Sequence, residues 1–206
     1  MAISCRVTRG EFTESIHVTF AVVVDKNRRV IFSTGDPHYL TCIRSSLKPF
    51  QAAAAIKAGA VDLARFNDKE IALMCASHHG EKIHTDTAQS MLKKLDLTVE
   101  DYGCGAHDPY DKSTRDNLIL AKIPASPLHN NCSGKHAGML ALANQLGVSK
   151  IGYTKLDHPV QKFIIDYVSK ISEVKDFHCQ IDGCSAPTPF FTLETIAKMF
   201  QKLAAG

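Results

Sequence analysis

TCIRSSLKPFQ, residues 41–51, sets two serines and a lysine at the mouth of a predicted helix. Pro49 suits a first helical turn, where its missing N–H costs nothing. The Ala-rich run LKPFQAAAAIKAGA carries the pattern to a stop near Gly59. Positions three apart share a helix face, so Ser45 and Lys48 can converge there. A hydroxyl is a poor nucleophile until a neighbour takes its proton, and a desolvated lysine does so once its pKa falls toward neutrality. The positive end of the helix would disfavour the ammonium form and steady an oxyanion. The spacing alone is a weak signal. SxxK recurs at Ser90/Lys93 and Ser172/Lys175, where a solvated serine and lysine on an amphipathic helix need no chemistry.

The chain around this stretch has 206 residues, enough to bury a substantial core. Hydrophobic residues make up 45% and charged residues 22%, the balance of a globular protein. The net charge of +3 is scattered, without runs of like sign, which argues against nucleic-acid or membrane-surface binding. MAISCRVTRGEF carries no signal-peptide core and no apolar run reaches spanning length, so the expected setting is the cytoplasm. Seven cysteines form no CxxC and leave one over, which favours reduced thiols, some with chemical roles. Asn131-Cys132-Ser133 fits a glycosylation sequon that has no use without secretion.

Strand signals dominate the first 35 residues, and AVVVDKNRRVIFSTG predicts a hairpin turning at residues 25–28. Helical signals follow. Asn67 and Glu70 have capping-box spacing, and Ala88, Met91, Leu92 and Leu95 form one stripe. Residues 136–146 read as an apolar helix ended by Gly147. Asp157 is the expected cap of a segment with Val160, Phe163, Ile164, Tyr167, Val168 and Ile171 at helical spacing. Residues 101–113 and 123–135 read as loops, and TLETIAKMFQKLAAG as a final amphipathic helix. The pattern is α+β, helices packed on a small antiparallel sheet in one domain spanning 1–206. Only two or three strands are clear, few for so many helices.

Three further stretches carry polar chemistry. CASHHGE (75–81) holds a thiol, a hydroxyl, two imidazoles and a carboxylate. His78, His79, Glu81 and His84 lack HExxH spacing, so a polar pocket is favoured over a metal site. HNNCSGKHAGM (129–139) places backbone N–H groups and Lys135 at a helix mouth, an anion-friendly arrangement that departs from a phosphate loop at His136. DGCSAPT (182–188) is turn-rich, and its Cys184 could join Cys132 and Lys135 in a small soft-ligand site for zinc.

Taken in this order and at these separations, RSSLKPFQ, CASHHGE, HNNCSGKHAGM and DGCSAPT resemble the thermolabile, Rhizobium etli-type L-asparaginase II family. The opening VTRG, the GDP at 35–37 and the DHPVQ at 157–161 extend the resemblance from about Thr8 to the last residue. It implies hydrolysis of L-asparagine to L-aspartate and ammonia on a serine β-lactamase/glutaminase-like fold. It also implies catalytic residues Ser45, Lys48 and Ser77, and substrate contacts from Arg44, His136 and Asp182. Zinc held by Cys132, Lys135 and Cys184, tuning the pocket rather than attacking substrate, and a homodimer complete what it implies. Two residues depart from the family pattern: His79 stands where a serine is usual, and Ser185 where a glycine is usual. Family members continue beyond this endpoint, so the chain is expected to be an N-terminal portion. That expectation sets an alternative beside the amidohydrolase: an inactive fragment or pseudoenzyme acting as a zinc- or ligand-binding module. A penicillin-type acyltransferase is disfavoured because no SDN or KTG accompanies the first serine.

Overall fold

The computed structural model describes residues 3–205. Along the chain run β1 (Ile3–Arg9), β2 (Phe12–Thr19), β3 (Ala21–Val24), β4 (Val30–Thr34) and β5 (Leu40–Cys42). Then come α1 (Lys48–Lys57), α2 (Ala60–Leu63), α3 (Asp68–Cys75), α4 (Lys82–Lys94), α5 (Lys112–Ala121), α6 (Ser133–Leu146) and α7 (Pro159–Ser172). Strands β6 (Cys179–Ile181) and β7 (Pro187–Thr192) and helix α8 (Leu193–Ala205) close the series. The mixed α+β class expected from the sequence is therefore observed, as eight helices with small antiparallel sheets among the described residues. The strands form three separate small sheets, β1-β2, β3-β4 and β5-β7-β6.

The chain divides into two compact units. The first comprises Met1–Ile43, Ser169–His178 and Pro189–Gly206. Its hairpin β3-β4 turns where the sequence predicted, because the Asp25 carboxylate accepts the Asn27 and Arg29 amides and the Arg29 Nε. Helix α8 lies against β3 with Met199 buried, and Phe177 packs on Phe191 at 4.8 Å between ring centres.

The second unit, Arg44–Val168 and Cys179–Thr188, holds every candidate site residue. Its centre is α6, buried without interruption from Ser133 to Ala143 and touched by α1, α2, α3 and α4. A helix apolar on all sides belongs inside a domain. Each fully buried leucine or methionine there, such as Leu140, Leu142 and Met139, contributes about 2 kcal/mol of transfer free energy. Close packing against α3 depends on Gly134, where an added Cβ would lie 2.3 Å from the Leu73 carbonyl oxygen. This approach brings the loop ahead of α6 beside the segment that leaves α3.

The predicted capping box is present: Asn67 accepts the Glu70 amide and Glu70 the Asn67 amide. Glu70 is also buried against Lys94 at 2.6 Å and Ser90 at 2.9 Å, which fastens α3 to α4. The stripe of Ala88, Met91, Leu92 and Leu95 is buried, and Gly147 ends α6 in the left-handed region at φ 64°. One capping expectation changes. The Val160 amide at the head of α7 donates to His158 Nδ1, so His158 takes the part expected of Asp157.

Candidate active site

Lys48 begins α1 just after a short 3-10 turn at Arg44–Leu47, and its side chain runs inward to 1% exposure. Its Nζ lies 2.6 Å from the Ala76 carbonyl oxygen, 3.1 Å from the Asn131 carbonyl oxygen and 2.8 Å from Ser77 Oγ. The two carbonyls only accept. A neutral amine therefore spends both N–H bonds on them and turns its lone pair toward the Ser77 hydroxyl. Burial above all pushes the Lys48 pKa down; the Cys132 sulfur pulls it up, the Lys135 charge pushes it down, and the net shift is downward. Ser77 and Ser45 are both exposed, so each hydroxyl is open to a small molecule arriving from solvent. The serine that touches Lys48 is Ser77, 29 residues away, rather than its neighbour by spacing.

The Asn131 carbonyl that fixes Lys48 also accepts the His78 amide, and the Asn131 amide donates to His107 Nε2 at 2.9 Å. His78 is itself committed: Nδ1 accepts the Gly80 amide, leaving Nε2–H to donate to Ser133 Oγ at 2.8 Å. It stacks on His84 at 5.0 Å. His78 of CASHHGE thus braces the floor of the site through hydrogen bonds and its stacking on His84, whereas His79 is exposed.

Cys132 and Cys184 are both buried and share a hydrogen bond. That bond pulls the Cys184 thiol down and pushes Cys132 up, so Cys184 is the sulfur that gives up its proton more readily. Lys135 Nζ donates to Cys184 Sγ at 2.9 Å. Beside them His136 is wholly buried, with Nδ1 2.6 Å from the Tyr153 hydroxyl and Nε2 lacking an oxygen or nitrogen partner. Burial holds its pKa below the ordinary histidine value, and its ring interacts with the Cys184 sulfur. Among the described residues no cluster of three His, Cys, Asp or Glu side chains is placed to hold a metal. The donors that do converge are two sulfurs and a lysine nitrogen.

Arg44 reaches Asp182 Oδ1 through Nε at 3.1 Å and Nη2 at 2.8 Å, and its amide donates to Thr188 Oγ1. Asp182 is nearly buried while the guanidinium stays mostly exposed, which leaves it able to meet an incoming carboxylate. The turn between β6 and β7 closes through the Asp182 carbonyl and the Ser185 amide. Ser185 sits there at φ 67°, the left-handed region that costs a residue with a Cβ about 1–2 kcal/mol. Ser185→Gly is expected to raise the unfolding free energy by about 0.5–1 kcal/mol, after the greater unfolded-state freedom of glycine is subtracted. A shift of the urea midpoint to higher concentration checks this, and a fall would mean that the serine makes a stabilising contact.

Ser45 shares none of the contacts given above; of the other predicted site residues, Arg44 pairs with Asp182, Lys48 with Ser77, and Cys132, Lys135, His136 and Cys184 form one cluster. Tyr153, which sequence reasoning passed over, closes it from behind His136. Its only sequence signal is a tyrosine in the turn-rich stretch after Gly152. No helix among the described residues is long and apolar enough to cross a membrane. Compared with known protein families, residues 5–206 match the one described as L-asparaginase II. No curated protein matches the chain.

Proposed function

The chain belongs to the L-asparaginase II family, and from that premise we propose that it hydrolyses L-asparagine to L-aspartate and ammonia by serine–lysine nucleophilic catalysis. The observation that carries this reading is the setting of Lys48, a buried amine held by two carbonyls with Ser77 Oγ at 2.8 Å. Ser77 Oγ attacks the side-chain amide carbon as Lys48 Nζ takes its proton. Lys48 returns that proton to the amide nitrogen, and ammonia leaves an aspartyl ester on the serine. Water then gives its proton to Lys48 and its oxygen to the ester carbon, and the serine recovers a proton from the amine. Arg44 pairs with the substrate α-carboxylate, Asp182 with its α-ammonium, and His136 lines the pocket.

Zinc fits the donor set formed by Cys132, Lys135 and Cys184. Binding it would require both sulfurs as thiolates and the lysine as a free amine, so uptake of the metal would release protons. When bound, zinc supplies positive charge that keeps both sulfurs as thiolates and tunes the pocket. The serine β-lactamase/glutaminase-like fold, the homodimer and the cytoplasmic setting belong to the same reading through the family resemblance.

A second assignment makes Ser45 the nucleophile. It is favoured by the three-residue spacing to Lys48 and by the exposure of Ser45 at the helix mouth. Acid quench during turnover of L-aspartate β-hydroxamate, followed by peptide mapping, distinguishes the two. An aspartyl ester on Ser77, with ammonia release from L-asparagine abolished in Ser77→Ala, is expected. An ester on Ser45 would transfer the nucleophile's role, and the absence of both ester and ammonia would remove the serine mechanism.

A further inference from the structure

The hydrogen-bond accounting behind His136 leaves one consistent arrangement. Tyr153 is 3% exposed, and its hydroxyl oxygen already accepts the Gly103 amide at 2.8 Å. The same oxygen lies 2.6 Å from His136 Nδ1. Were Nδ1 protonated, Tyr153 would receive two N–H donors while its own hydrogen, buried with it, had no acceptor. With Nδ1 bare, the phenol hydrogen lies on Nδ1, and both the Tyr153 hydroxyl and Nδ1 are satisfied. The imidazole proton then sits on Nε2, the buried atom without an oxygen or nitrogen partner, whose ring interacts with Cys184.

We propose that Tyr153 is a positioning residue for this site: through its hydroxyl it holds His136 in the Nε2–H form and turns that N–H to the Cys132–Cys184–Lys135 side of the pocket. The consequence is electrostatic. The sulfur of Cys184 meets a donor rather than a second lone pair, and the ring keeps one orientation beside the substrate. A phenylalanine at 153 would fill the same space but leave Nδ1 free to take the proton, exposing a bare Nε2 to the sulfur. The ring contact of the two residues, edge-on with centroids 5.6 Å apart, would survive that exchange, which isolates the hydroxyl.

The kinetic part of the test rests on the asparagine reading above, whereas the spectroscopic part does not. Nitrogen-15 spectra of histidine-labelled protein, assigned with His136→Gln, read the tautomer directly. The wild-type chain is expected to show His136 with Nε2 protonated and Nδ1 bare, and Tyr153→Phe is expected to lose that single form. Tyr153→Phe is also expected to lower kcat on L-asparagine about 10-fold, the size of effect that outer partners of ligating groups carry. In a His136→Gln background, where an amide N–H stands in for Nε2–H without help from Tyr153, the same exchange should change kcat less than twofold. A wild-type His136 protonated at Nδ1 would overturn the proposal, and that reading needs no variant to fold. An undiminished kcat loss in the His136→Gln background would overturn it as well, by making Tyr153 merely structural. Absence of asparagine turnover alongside the expected tautomer would strike the proposed function and leave the positioning of His136 standing.

Discussion

Lys48→Met is expected to lower kcat for asparagine hydrolysis about 1000-fold, the scale set by losing a general base together with its activated serine. Methionine matches the lysine stem in length and apolar character but brings no lone pair to Ser77. The exchange also strips the Ala76 and Asn131 carbonyls of a donor. Each buried acceptor left bare costs about 1–3 kcal/mol, so some loss of melting temperature should accompany the catalytic loss. Measuring ammonia release beside a thermal melt separates the two effects. Lys48→Arg should be as inactive as the methionine variant, because a guanidinium cannot supply a lone pair near neutrality. In the wild-type protein the active form is the unprotonated amine. Burial lowers the Lys48 pKa, so kcat should climb as pH rises through that lowered value and level off before the ordinary lysine range. Retention of a tenth or more of wild-type kcat by Lys48→Met would remove Lys48 from the chemistry.

That prediction turns on contacts which the sequence could not display. Lys48 meets Ala76, Ser77 and Asn131 across separations of 28, 29 and 83 residues, whereas spacing arguments see only the adjacent turns of one helix. The other two SxxK sites resolve as surface features: Lys93 and Lys175 are exposed, and Ser90 serves the Glu70 carboxylate. Elements with strong periodicity were readable. The stripe on α4, the box at Asn67 and Glu70, and the stop at Gly147 all follow from local rules that no tertiary contact overrides. Short strands were less readable. β6 and β7 flank a tight turn with too few residues to establish alternation, and β7 is buried over most of its length. At the head of α7, a histidine nitrogen replaces the expected carboxylate as acceptor, an exchange that capping preferences rank low. Tyr153 was invisible for a related reason, since a lone tyrosine in a turn carries no pattern until His136 is seen opposite its hydroxyl.

Acid should destabilise the fold well before its carboxylates are titrated, and His78 is the reason. It is 3% exposed, accepts the Gly80 amide on Nδ1 and donates from Nε2 to Ser133, whose own hydroxyl donates to the Leu128 carbonyl. Protonation would set an Nδ1–H against the Gly80 N–H, donor facing donor, with no solvent to relieve it. Burial, followed by the charges of His84 and Lys48, pushes the folded-state pKa down to about 3. Unfolded histidine titrates near about 6.5. The contribution is therefore complete above that value and is lost as pH falls from about 6.5 toward 3, because only the unfolded chain takes up the proton. Over the whole window the loss is on the order of 4–5 kcal/mol, a large share of the roughly 5–15 kcal/mol that holds a domain together. His136, also held below its ordinary value by burial, adds to the same trend, while Glu70, lowered by its Lys94, Asn67 and Ser90 bonds, loses its contribution only at more acid pH, below about 4.5. Urea midpoints measured from about pH 8 to about pH 4 should fall steadily below pH 6.5, and His78→Gln, which keeps an acceptor and a donor without a proton to gain, should flatten most of that slope. An unchanged slope in His78→Gln would mean that the acid sensitivity arises elsewhere and that the His78–Ser133–Leu128 chain does not hold the imidazole neutral.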